Sequence, residues 1–174
     1  YLVLVLEFAP RNRVLKWANS VVEQYPEHRV IILTHAYLYS DNTLLGSKRT
    51  HKYVPANYGV GRSKEGANDG VQIWNKLVRR HKNISFVFCG HTLGDGNGIL
   101  ISEGDHGNKV YQLLVNYQMH REGGGGYLRS VEFNPNNNTV TIQCYSPHHD
   151  LYKFDADNDF VLKNVDLGSL KKQR

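Results

Sequence analysis

Two stretches decide the fold: Arg29-Val30-Ile31-Ile32-Leu33-Thr34-His35 and Ile84-Ser85-Phe86-Val87-Phe88-Cys89-Gly90-His91. Each is a short, almost continuous apolar run, the pattern of a strand buried on both faces of a sheet. Each breaks off into a small residue followed by histidine. Working outward, Leu2 to Phe8 reads as another buried strand, and Pro10 suits the start of a helix. Arg11 to Tyr25 then places Val14, Ala18, Val21, Val22 and Tyr25 at helical spacing, and Pro26 stops it. Asp69 can cap a second helix carrying Val71, Trp74, Leu77, Val78 and His81. The order strand, helix, strand, loop, helix, strand is α/β architecture with short crossovers. The loop over 35–68 is polar, rich in Tyr, Gly and Asn, and without period, as functional or mobile loops are.

Beyond His91 the pattern changes to short strands: 98–102, 109–117, 127–133, 139–145 and a last one at 160–163. Turn-formers separate them, namely Asp95-Gly96-Asn97-Gly98, Gly123–Gly126 and Asn134-Pro135-Asn136-Asn137-Asn138. The Asn-rich turn predicts a hairpin between 127–133 and 139–145. No stretch of linker composition divides the chain. The expectation is one domain over 1–165, its halves sharing a sheet or sandwich, followed by a basic tail over 166–174.

Hydrophobic residues make up 40% of the 174 and charged residues 21%, which excludes wholesale disorder. No apolar run approaches the ~18 residues of a membrane-spanning helix, so no membrane partner is expected. The formal net charge is +5, but Lys171, Lys172 and Arg174 supply three of the positive charges. Elsewhere Lys and Arg form no stripe interleaved with aromatics, which argues against a nucleic-acid module. Cys89 and Cys144 lie in apolar runs and read as buried free thiols; two cysteines cannot form a zinc knuckle. An opening within an apolar run suggests the later part of a longer protein. Unpaired sheet edges would then favour homo-oligomerisation.

Chemistry concentrates where the two deciding strands end. In open α/β sheets ligands gather at the carboxyl ends of strands. His35 and His91 occupy equivalent ends and are candidate ligands of one cation, with Gly90 allowing a sharp turn beside it. Two ligands cannot fill a shell of four to six, so others must join them. Tyr37, Asn68 and Asp69 flank the long loop and are candidate substrate-binding residues. Glu7 interrupts an apolar strand and needs a partner, for which Arg11 is close enough. His148-His149-Asp150 reads as a surface turn after Pro147, not a metal cluster, because adjacent strand residues face opposite ways. His28, His51, His81 and His120 have no supporting context. Gly123–Gly126 lacks the Lys-Ser/Thr and following helix of a phosphate loop.

Several motifs in order resemble the C-terminal part of a calcineurin-like metallophosphoesterase. They are Leu6-Glu7-Phe8-Ala9-Pro10-Arg11, Trp17, Leu33-Thr34-His35, Asn68-Asp69-Gly70 with Trp74, and Cys89-Gly90-His91. Asn116-Tyr117-Gln118, Gly123–Tyr127 and Tyr145-Ser146-Pro147 resemble one bacterial-type subgroup. The resemblance implies a layered β-sandwich with flanking helices, its N-terminal part missing here. It also implies a hydrolase that uses two divalent metals (manganese, iron, zinc or magnesium) to activate water against a phosphate mono- or diester. His35 matches the family's strand-end ligand, and His91 the first His of its Gly-His-x-His motif, both on the same ion. The earlier Asp-x-His, Gly-Asp-x-x-Asp and Gly-Asn-His-Asp/Glu motifs do not occur, and Leu93 stands where the second His belongs. Asp95, Asp105 and His106 are the candidate compensating ligands. The chain alone is therefore expected to be inactive. The rival readings are a non-catalytic glycan- or protein-binding β-rich module, favoured by 11 tyrosines, and a degenerate phosphoesterase.

Overall fold

Parallel pairing of the two histidine-ending strands organises the first part of the chain. A computed structural model describes residues 1–168. Lys171, Lys172 and Arg174, the charges that define the expected tail, lie outside the described residues. The protein is mixed α/β, with two sheets and few helices. It divides into two compact units, the first covering Tyr1–Asn116 and the second beginning at Tyr117.

In the first unit, β1 (Leu2–Val5), β2 (Val30–Leu33), β3 (Ile84–Cys89), β4 (Asn97–Glu103) and β5 (Lys109–Val115) form one sheet in the order β1-β2-β3-β5-β4. The first four in that order run parallel, and β4 closes the far edge antiparallel to β5. β4 and β5, which follow His91 in the chain, join this sheet through β5, which hydrogen-bonds directly to β3.

Helix α1 (Asn12–Gln24) buries Leu15, Ala18 and Val22. The predicted face is right at Ala18 and Val22 but misses Leu15, and Tyr25 is exposed. No side chain caps its N-terminus at Arg11, an omission worth about 1 kcal/mol. Burial of Leu15 and Val22 outweighs it, at about 1.5–3 kcal/mol each. Helix α2 (Gly70–Lys76) does carry a cap: Asp69 accepts from the Gln72 N–H, and the Gln72 side chain accepts from the Asp69 N–H. It is shorter than the sequence suggests; Val78–Arg80 is a separate 3₁₀ turn. Leu15, Ala18 and Val22 of α1 and Ile73 of α2 join Leu4, Leu6, Val30, Ile32, Val87, Cys89 and Leu114 in one core.

Strand β1 departs from its reading as fully buried. It is a sheet edge, with Leu4 buried while Val3 and Val5 are exposed. Glu7, just beyond it, receives Arg11 Nε at 2.8 Å, and Arg11 also reaches Glu65 at 2.8 Å. The long loop is packed, not loose. Leu38 bridges Leu44, Leu45 is fully buried, and two 3₁₀ turns follow at Pro55–Asn57 and Gly59–Arg62.

The second unit is an antiparallel sheet of β6 (Leu128–Asn134), β7 (Thr139–Ser146), β8 (Leu151–Lys153) and β9 (Phe160–Leu162). β6 and β7 form the predicted hairpin, with Asn134 opposite Thr139. β8 and β9 pair with successive parts of β7. Both cysteines are free and buried, as expected.

Candidate functional site

β2 and β3 are neighbours in register, Leu33 beside Phe88, so His35 and His91 leave the sheet at the same edge. Their rings meet. His91 Nδ1 lies 3.1 Å from His35 Nε2, with ring centroids 4.8 Å apart. The backbone fixes this approach. The Gly90 N–H donates to the His35 carbonyl at 3.0 Å, and the Thr92 N–H donates back to the Gly90 carbonyl at 2.7 Å. The second bond closes a three-residue turn centred on His91, whose φ is 66°. A γ-turn with positive φ at a non-glycine centre is the rarer, strained form. The buried Thr92 hydroxyl locks the next residue by donating to the Leu38 carbonyl at 2.7 Å.

Aromatic rings surround the pair. Phe8 lies 5.5 Å from His35 and 5.0 Å from His91 between centroids. Tyr58 and Tyr53 lie 5.2 and 6.1 Å from His91. Burial, then the neighbouring His35, push the His91 pKa below the ordinary imidazole value. A backbone group of Tyr53 opposes this shift, yet Nε2 of His91 is buried without a hydrogen-bond partner. Burial thus favours the neutral imidazole, the form that can ligate a metal. Two nitrogen donors about 2.1 Å from one ion sit roughly 3 Å apart when their bonds are near perpendicular, so the pair fits part of a metal shell. It is incomplete. Among the described residues, no third His, Cys, Asp or Glu joins these two in a set whose ligand atoms all lie within 4.8 Å of one another.

The other candidates fall elsewhere. Tyr37 is fully buried, and its hydroxyl donates to Gln112 Oε1 at 2.7 Å. It ties the loop to β5 and cannot line a crevice. Asn68, also buried, donates to the Pro10 carbonyl at 2.6 Å and accepts from Lys76 Nζ at 2.6 Å. Asp69 is the α2 cap. All three make scaffold bonds, and Asp69 caps α2 as its place before the helix predicts. Residues at loop–helix junctions carry the polar side chains that unpaired backbone demands, and the sequence shows those side chains without their partners.

Asp105 and His106 are at the wrong edge. β5 runs parallel to β3 with Cys89 beside Leu114, so the turn before Lys109 lies roughly 16 Å back along the strands, at 3.3 Å per residue. There Asp105 pairs with Arg79 at 2.6 Å, and His106 Nε2 meets the Arg80 carbonyl at 3.0 Å. Neither can reach a cation at His35 and His91. Asp95 is at the correct edge, but its Oδ1 accepts from the Asn97 N–H at 3.0 Å within its own turn. Phe8, Tyr53 and Tyr58 are the neighbours that sequence reasoning missed. Phe8 follows β1 at the same sheet edge, a usable signal; the loop tyrosines offered none. His51, passed over in the sequence, is buried, stacked on Tyr39 at 4.0 Å and bonded at Nδ1 by the Gly46 N–H.

The comparisons with known proteins add kinship without chemistry. No family model matches the chain, and no solved structure matches it. It is 26% identical over 166 residues to a Bacillus subtilis (strain 168) protein called "Uncharacterized protein YvnB". The match covers 90% of this chain and 11% of that protein, so the chain spans about a tenth of the length of this relative.

Proposed function

We propose that this chain supplies one side of the metal centre of a phosphoesterase with the layered β-sandwich of the calcineurin-like family. His35 and His91 hold one divalent ion, of manganese, iron, zinc or magnesium, and further ligands come from residues outside this chain. The observation that carries the reading is the 3.1 Å approach of the two imidazole nitrogens at adjacent parallel strand ends. A divalent ion bound there would supply Lewis-acid polarisation of a phosphate ester and make water more acidic.

The chain's own contribution is positioning. The strained turn at His91 and the Gly90–His35 backbone bond set the ring spacing. Burial favours the unprotonated form of His91. Phe8, Tyr53 and Tyr58 pack around the half-buried His91 ring, while His35 stays exposed and open to a substrate. Leu93 brings no donor to the position of the family's second histidine, so the isolated chain is expected to turn over little or no ester. The test is metal content and nitrophenyl phosphate hydrolysis of the chain loaded with manganese or zinc, alone and with His35→Ala or His91→Ala. Loss of metal in either variant supports the reading. Robust hydrolysis that His35→Ala leaves untouched refutes it. Metal retained at His35 and His91 in a full-length parent that hydrolyses no ester identifies the degenerate form instead.

One observation favours a different class. The second unit exposes Tyr152 and Phe154, at 49% and 75% of their surface, and Tyr145, Tyr152 and Phe154 follow one another at 4.7 and 6.0 Å. Such an aromatic platform suits a glycan or a protein segment. This reading requires saturable binding that survives a chelator and is lost in Tyr152→Ala.

A further inference from the structure

The turn Pro147–Asp150 and the glycine run Gly123–Gly126 meet within the second unit, and their meeting is built. All four glycines have positive φ, at 65°, 101°, 56° and 67°. A Cβ on Gly125 would stand 2.9 Å from His149 Nε2, and one on Gly126 would stand 3.1 Å from His148 Cβ. The run is thus a surface, free of side chains, against which both histidines lie. Ser146, fully buried, fastens the two segments. Its hydroxyl donates to the Gly125 carbonyl at 2.5 Å and accepts from the His149 N–H at 3.1 Å. On the other side Glu122 adopts a left-handed conformation (φ 58°, ψ 36°), and its Oε2 lies 3.4 Å from His149 Nε2.

Residues 147–150 form the surface turn expected after Pro147, and in a turn adjacent side chains need not face opposite ways as they do in a strand. The two rings lie side by side, with centroids 4.6 Å apart. One ligand atom from each of Glu122, His148 and His149 lies within 4.8 Å of the others. Donors on one ion sit about 3–3.5 Å apart, so small rotations of three exposed side chains complete the set. Two imidazoles and one carboxylate are the borderline donors that first-row divalent metals favour over calcium or magnesium.

We propose that Glu122, His148 and His149 form a second metal site, for a first-row divalent cation of the zinc type, bridging the glycine run and the Pro147–Asp150 turn. Three protein ligands leave at least one coordination position open to water or an external ligand. This site is independent of His35 and His91.

The experiment uses the whole chain carrying His35→Ala and His91→Ala, stripped with a chelator and titrated calorimetrically with zinc. The expected result is one zinc per chain, with affinity falling roughly tenfold or more on adding His149→Ala, His148→Ala or Glu122→Gln. These residues are exposed, so circular dichroism in chelator should stay unchanged. Imidazole resonances of His148 and His149 should shift together on addition of zinc. Gly125→Ala, which keeps every donor but crowds the His149 ring, should weaken binding as well. If Gly125→Ala does not fold, the three ligand variants decide the matter. Absence of zinc binding at millimolar metal in the doubly substituted background overturns the site. So does an affinity that none of the three ligand variants changes.

Discussion

Replacing His91 by alanine and by glycine isolates the strain at the centre of the candidate site. Both variants remove the imidazole, its contact with His35 and its partnerless Nε2; they differ only by Cβ. At φ 66° a residue with a Cβ pays about 1–2 kcal/mol that glycine does not. Against this, glycine gives the unfolded chain more freedom, worth about 0.5–1 kcal/mol. The balance makes His91→Gly more stable than His91→Ala by about 1 kcal/mol, or roughly 2–4 °C in Tm for a chain of this size. Both tryptophans, Trp17 and Trp74, lie on α1 and α2 of the unit that holds His91. Urea unfolding followed by tryptophan fluorescence, in chelator at pH 7.5, therefore reads the relevant unit. The midpoint should be higher for glycine at equal slope. Neither variant should retain metal at His35. An alanine variant as stable as the glycine one, or more so, would show that the turn stores no strain and would remove the argument that His91 is held in place for function.

Tyr37→Phe leaves Gln112 Oε1 buried without its donor and should cost about 1–3 kcal/mol; metal affinity should not change, because Tyr37 faces the core. Asp69→Ala removes the side-chain acceptor of the Gln72 N–H while leaving the backbone N–H that donates to Gln72, and should cost about 1 kcal/mol, most of it regained in Asp69→Ser; equal stability of the two variants would refute the cap. His91 and His81 are both held below the ordinary imidazole value, chiefly by burial. Unfolding lets these rings take up protons, so their contribution to stability is full above about pH 6.5 and is lost as pH falls toward their folded-state values. Urea midpoints should thus drop from pH 7.5 to pH 5, less steeply in His81→Asn; a rise would refute the assignment.

The sequence showed the sheet edge that carries the site because β2 and β3 are continuous apolar runs ended by Thr34-His35 and Gly90-His91. It also showed the β6–β7 hairpin, whose Asn-rich turn is local chemistry. It left the neighbours of β4 and β5 open, since a strand's own pattern says nothing of its neighbour, and it made β1 a buried strand when it is an edge. Tyr37, Asn68 and Asp69 looked like site residues because buried polar anchors and ligand-binding groups are drawn from the same residue types. The surface turn at Pro147 was legible, but a turn in the sequence does not say that both of its histidines lie beside Glu122.

Residue order alone placed His35 and His91 at the ends of two buried strands. That information is local: apolar period, turn formers and the residue after each strand. Only the tertiary structure decided that the two rings lie 3.1 Å apart, that Asp105 and His106 sit at the opposite edge, and that Glu122 meets a histidine pair 26 residues along. Those are contacts between segments distant in sequence, fixed by strand register and by the packing of glycine against imidazole, and no local pattern encodes them.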